Sequence, residues 1–136
     1  MKNNINNSFG GKGKYNLKAY KEFVKPFYNN HNITHDFSHI NRILRRLDFL
    51  SEGEGKILDK PLLYFLACFH ELSTEMKENN KFKRKVITFL STIGWEEQGI
   101  YEAMRSLENH IDNPQKTEEK VVNDANFIEA FGALGI

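Results

Sequence analysis

Few residues in this chain can do chemistry, and three stand where their neighbours make them conspicuous. His70 closes the most apolar segment, Leu62 to Phe69, and Glu71 follows it at once. Burying a carboxylate without a partner costs several kcal/mol, a cost that a metal ion or a set of hydrogen-bond donors removes. His39 lies in the first turn of an expected helix, with His35 four residues before it. Asp124 interrupts an apolar run that contains Val121, Val122 and Ala125. A histidine, a histidine–carboxylate pair and a distant aspartate on three helices can converge inside a bundle. Such nitrogen and oxygen donors suit Mn, Fe, Co, Ni or Mg better than a closed structural zinc site. A satisfied core histidine is the competing account of His70. For His31 and His35 a solvated or capping role is favoured.

These residues need helices to position them. Leu17, Tyr20, Phe23, Val24 and Phe27 recur at three- and four-residue steps and mark one apolar face. Pro26 within that pattern weakens the last turn or ends the helix early. Asn29, Asn30 and Asn32 form a break. A second helix is expected from a cap at Asp36, through Phe37, Ile40, Ile43, Leu44, Leu47 and Leu50, to Gly53 and Gly55. A third runs from Lys60 to His70, is apolar on nearly every side, and is therefore the central helix. A charged stretch, Glu75 to Lys85, leads into a fourth helix with Val86, Phe89 and Leu90, ended by Gly94. A fifth carries Ile100, Ala103, Met104 and Leu107 and runs out at His110. After a turn at Pro114, the last begins near Thr117, with Glu118 and Glu119 favourable to its dipole, and continues to Phe131. No segment alternates with period two. The fold class is all-α, a bundle of about six helices.

Composition bounds the rest. The chain has 136 residues, enough for one domain, with 19 basic residues against 18 acidic and a net charge of +1. That balance argues against a basic nucleic-acid or membrane-surface binder, so no nucleic-acid polymer is expected as partner. Cys68 is the one cysteine, which excludes an intramolecular disulfide framework and a Cys-rich zinc module. No apolar run reaches the roughly 18 residues of a membrane span, and no apolar stretch follows Lys2 to make a signal peptide, so a cytoplasmic location is expected. Residues 1–15, rich in Asn and Gly, read as a flexible tail before a domain over 16–136. Gly10-Gly11-Lys12-Gly13 has no strand before it and no Gly-Lys-Ser/Thr ending, so it belongs to that tail rather than to a phosphate cradle.

Three segments carry a family resemblance. His35-Asp36-Phe37-Ser38-His39-Ile40-Asn41-Arg42-Ile43 resembles the opening motif of HD-domain phosphohydrolases. Ala67-Cys68-Phe69-His70-Glu71-Leu72 resembles their central His-Asp motif. Glu119 to Ile136, containing Val121-Val122-Asn123-Asp124-Ala125 and Glu129-Ala130-Phe131-Gly132-Ala133-Leu134-Gly135, is similar to their closing motif. The resemblance runs from about residue 35 to the C-terminus and implies an all-α, metal-dependent hydrolase of nucleotides and other phosphate esters. Carried over position by position, it implies metal ligands at His39, His70, Glu71 and Asp124. His35-Asp36, the one literal His-Asp pair, falls just before the first ligand position. Leu107-Glu108-Asn109-His110 matches a family Ile-x-x-His segment and implies that His110 contacts the substrate phosphate or moves a proton. Glu75 falls close to where some relatives place an acidic catalytic residue; a solvated loop acid is the competing account.

Two positions depart from the family pattern. The pair reads His-Glu, so the acid carries one more methylene and its oxygens reach over ~1 Å further, where metal sites tolerate about ±0.2 Å. The usual Asp-Ala-Asp-Arg-Leu reads Asp124-Ala125-Asn126-Phe127-Ile128, without the acidic and basic groups that follow the aspartate. The apolar terminus, Gly132 to Ile136, is also early compared with relatives, which implies a short form or part of a longer protein. The implied chemistry is attack on phosphorus by a metal-activated water, with Arg42, Lys77, Lys81 and Arg84 as candidate phosphate contacts. A solvated basic face is the competing account of each. The other functions weighed are a binding or regulatory module that keeps the fold with a degenerate site, and an HD-type di-iron oxygenase. The oxygenase expects two histidines between the pair and the final aspartate, where this chain has His110 alone.

Overall fold

The computed structural model describes residues 13–30, 40–46, 58–109 and 113–133, with backbone alone for 29–30 and 126–133. In chain order its helices are α1 (Leu17–Asn30), α2 (Lys60–Phe69), α3 (Ser73–Glu78), α4 (Asn80–Thr92), α5 (Glu97–Asn109) and α6 (Thr117–Ala133). A one-turn 3-10 segment, His70–Leu72, joins α2 to α3, and residues 40–46 are helical too. Among the described residues there is no strand. The fold is an all-α bundle of the expected kind.

Sequence explains why α2 sits at the centre. The Asp59 side chain accepts the Leu62 N–H at 3.2 Å, and Pro61, which has no N–H to lose, stands in the first turn. From Pro61 to Phe69 every residue except Tyr64 is buried. A helix apolar all round must be covered on all sides, and α1, α5 and α6 pack on it. Each fully buried Leu or Phe contributes about 1.5–3 kcal/mol. The aromatic residues of α1 lock onto α4: Phe23 stacks on Phe89 at 4.3 Å between centroids, and Phe27 meets Phe82 edge-on at 4.8 Å. On α6, Glu118 accepts the Asp59 N–H at 2.9 Å and so ties the last helix to the start of the central one.

The structure corrects three details of the sequence reading. The charged stretch from Glu75 to Lys85 is itself helical. Met76 and Phe82 are buried and anchor it, and the Asn79 side chain accepts the Phe82 N–H at 3.1 Å, splitting it into α3 and α4. The third helix stops as an α-helix at Phe69, and His70 starts the 3-10 turn instead. Helix α1 runs four residues past Pro26, because Phe27 and Tyr28 pack inward and the Tyr28 hydroxyl donates to the Cys68 carbonyl at 3.0 Å. Gly94 ends α4 as expected: at φ 107° it takes the left-handed conformation, with Gly94 N–H on the Ser91 carbonyl and Trp95 N–H on the Leu90 carbonyl. Of the expected tail, residues 1–12 lie outside the described residues. Its end is held: Gly13 is buried, and the Tyr20 hydroxyl donates to the Lys14 carbonyl at 2.7 Å. The expected cap at Asp36 and the helix end at Gly53 and Gly55 also lie outside the described residues.

Candidate functional site

The bend from α2 into the 3-10 turn brings His70 and Glu71 together. His70 is 4% exposed. Its Nδ1 lies 3.1 Å from the Ala67 carbonyl oxygen, one turn back in α2. A carbonyl only accepts, so this bond places a proton on Nδ1 and fixes the ring plane. The buried Nε2 then faces the Glu71 carboxylate, with Oε2 at 3.8 Å, longer than a hydrogen bond. The Glu71 side chain is 22% exposed and carries the site to the surface. Leu72 and Met76, which follow the pair in the chain, are both buried. A histidine that donates one N–H to a backbone carbonyl and turns its other nitrogen towards a carboxylate has the arrangement of an oriented metal ligand. An imidazole nitrogen and a carboxylate are donor types that divalent cations accept.

Tyr28 extends this site and was missed in the sequence. Its hydroxyl pins α1 to Cys68, two residues before His70. Burial, reinforced by the charges of Cys68 and Glu71, pushes its phenol well above the ordinary range, so it remains a neutral donor. The Cys68 thiol is pushed up to about 12 by burial and is an inert packing group. Glu119 was read as a dipole-complementing acid, yet it is 1% exposed and its carboxylate accepts the Gln115 N–H at 2.7 Å, closing the start of α6. No sequence pattern points to the Ala67 carbonyl as a partner of His70.

The remaining candidates fall in different places. Asp124 is exposed on α6, beside the buried Val121, Val122 and Ala125, on a helix that packs against α2. His39 and His110 lie outside the described residues, as do His31, His35 and Asp36. Among the described residues no group of three or more His, Cys, Asp or Glu side chains is arranged to hold a metal ion. Glu75 is half-buried on α3 and accepts a hydrogen bond from Asn79 at 2.9 Å. Lys77 lines a cleft of about 350 Å³ with Ser73, Thr74 and Glu108. Lys81 and Arg84 line a different groove, with Phe23 and Lys85. Arg42 is exposed on the helical stretch 40–46. No helix among the described residues is long and apolar enough to cross a membrane. Comparison with known proteins adds no relative: no family model, curated protein or solved structure matches this chain.

Proposed function

We propose that this chain is a metal-dependent phosphohydrolase acting on a nucleotide or another small phosphate ester. The observation that carries the reading is the His70–Glu71 pair, a buried imidazole oriented by the Ala67 carbonyl with its second nitrogen turned to a carboxylate. In this reading His39, His70, Glu71 and Asp124 hold a divalent ion. Such an ion supplies Lewis-acid stabilisation of phosphoryl charge and a bound water of lowered pKa. The protein's own contribution is orientation. Ala67 fixes the tautomer of His70, and the Tyr28–Cys68 bond fixes the end of α2 that carries it. Glu71 brings a negative charge that balances a cation, and its longer side chain reaches towards Nε2 from the surface. His110 takes the part of phosphate contact or proton donor, and Lys77 that of a phosphate contact beside Ser73 and Thr74. Glu75, oriented by Asn79, is the nearby acid available for proton transfer.

Two measurements test this. The first is elemental analysis of the wild type beside His39→Ala, His70→Ala and Asp124→Ala after reloading with Mn, Fe, Co, Ni or Mg. About one metal per chain in the wild type and loss in each variant is expected. The second is phosphate release by the loaded protein from nucleotides, pyrophosphates and simple phosphate esters. A small fraction of one metal per chain, or no release from any of these substrates, overturns the proposal and favours a binding or regulatory module that keeps the fold.

A further inference from the structure

The overall charge of +1 conceals how charge is distributed. Helix α4 carries Lys81, Lys83, Arg84 and Lys85 and no acid from end to end. Three of these cations line one shallow groove of about 560 Å³, together with the stacked pair Phe23 and Phe89 and with Thr88 and Thr92 further along the helix. Lys81, Arg84 and Lys85 are all exposed, and none of the described ion pairs engages them. Their positions also run against helix stability. They occupy the first two turns of α4, where the dipole favours acids, and Lys81 and Lys85 repel one another at i,i+4. Local rules broken in this way, without a compensating partner inside the fold, mark a surface kept for another purpose.

We infer that this groove binds the phosphodiester backbone of a nucleic acid, without reading its sequence. Three features select that occupant. The lining residues include no Asp, Glu, Asn or Gln. A peptide strand would find only the Thr88 and Thr92 hydroxyls as side-chain acceptors for its N–H donors, whereas a phosphodiester chain presents acceptors to every donor of the groove. Lys81, the adjacent Arg84 and Lys85, then Thr88 place donors along the helix every three to four residues, about 4.5–6 Å apart, so that successive groups on a strand meet successive donors. An anionic membrane is disfavoured because interfacial binding needs an apolar side chain to insert. The exposed large apolar residues among those described, Tyr15 and Tyr101, do not line the groove. With three cations facing a chain of phosphates, binding is dominated by charge. This inference stands apart from the hydrolytic reading and survives its failure.

Fluorescence anisotropy with a labelled 20-nucleotide single strand of thymidylate or uridylate tests it. Binding is expected in about 50 mM salt, weakening with a log–log salt slope of about −2, from roughly −0.7 for each of three phosphates. The combined variant Lys81→Glu, Arg84→Glu, Lys85→Glu is expected to lose at least tenfold in affinity (~10-fold) while its circular dichroism stays that of the wild type. Arg84→Ala alone, which leaves the helix intact, is expected to shallow the slope by about 0.7. Absence of binding at low salt overturns the proposal, as does an unchanged salt slope in Arg84→Ala. Displacement of the strand by adenosine monophosphate at equal phosphate concentration, or tighter binding to phosphatidylserine vesicles than to the oligonucleotide, overturns it as well.

Discussion

A histidine next to a glutamate is unremarkable in a sequence; what singles out His70 is the company it keeps. Its place at the end of an unbroken apolar run was legible, and so was the adjacency of an acid. The orientation was not, because it depends on a backbone carbonyl, Ala67, that has no signature in residue type. Asp124 shows the opposite limit. Its neighbours Val121, Val122 and Ala125 are buried as their pattern implies, yet the aspartate is exposed, since a helix turns a polar residue outward one position from its apolar stripe. Two predictions belong to this scale. Glu71→Gln keeps the shape of the side chain and removes the charge that faces Nε2. Titration of the purified protein with Mn or Co is expected to show affinity reduced roughly tenfold or more, with helix content unchanged. Unaltered affinity would remove Glu71 from the ligand set. Tyr28→Phe deletes the hydroxyl that anchors α1 to Cys68, at a cost of about 1 kcal/mol read from the urea midpoint. A neutral result would mean that packing alone holds the end of α1.

Helices were the most legible level, and the reasons are particular. The three- and four-residue spacing from Leu17 to Phe27, the solid apolar run of α2 and the glycine stop at Gly94 each rest on one strong local rule. The misread boundaries are places where a tertiary contact overrode such a rule. Pro26 is tolerated because residues beyond it pack, and the charged run from Glu75 is helical because Met76 and Phe82 are buried beneath it. Asn79 does most to shape that run, and its role follows from a side chain that caps α4 while donating to the Glu75 carboxylate on α3. Asn79→Ala is therefore expected to cost about 1 kcal/mol, visible as a lower thermal midpoint and loss of helical signal from α3 and α4. The cations of α4 give the opposite sign. Lys81→Glu places an acid in the first turn of α4 and relieves the repulsion with Lys85. It is expected to raise stability by about 0.3–1 kcal/mol in low salt, with the gain screened away in high salt. A loss of stability on that substitution would show that Lys81 is held by something within the fold.

At the scale of the molecule, the core holds several groups that must stay neutral, and this sets how the fold responds to base. Tyr20 is fully buried, donating to the Lys14 carbonyl at 2.7 Å while Trp95 Nε1–H donates to its oxygen at 2.9 Å. Burial pushes its phenol well above the ordinary value near 10, against the smaller opposing effect of the Trp95 bond. Cys68, fully buried on α2, is pushed from near 9 up to about 12. Both shifts are upward, so below pH 9 the folded and unfolded chains bind the same protons at these two groups, and the groups add no pH dependence. Above pH 9 the unfolded chain releases the thiol proton, and above 10 the phenol proton, while the folded chain keeps both. Stability must fall as pH rises through this window, by about 1.4 kcal/mol per pH unit for each group that titrates only on unfolding. Urea midpoints measured at pH 7, 8.5, 10 and 11 are expected to be level over the first two and to drop steeply over the last two. Cys68→Ala is expected to flatten the fall between pH 9 and 10, where the thiol alone contributes, and to reduce the fall above 10 by the thiol's share of about 1.4 kcal/mol per pH unit. The same burial makes the single thiol a reporter of the whole fold. At pH 8 it is expected to resist a water-soluble disulfide reagent in the native state and to react stoichiometrically once urea exposes α2. Rapid native reaction, or a midpoint that stays level to pH 11, would contradict a dry core centred on that helix.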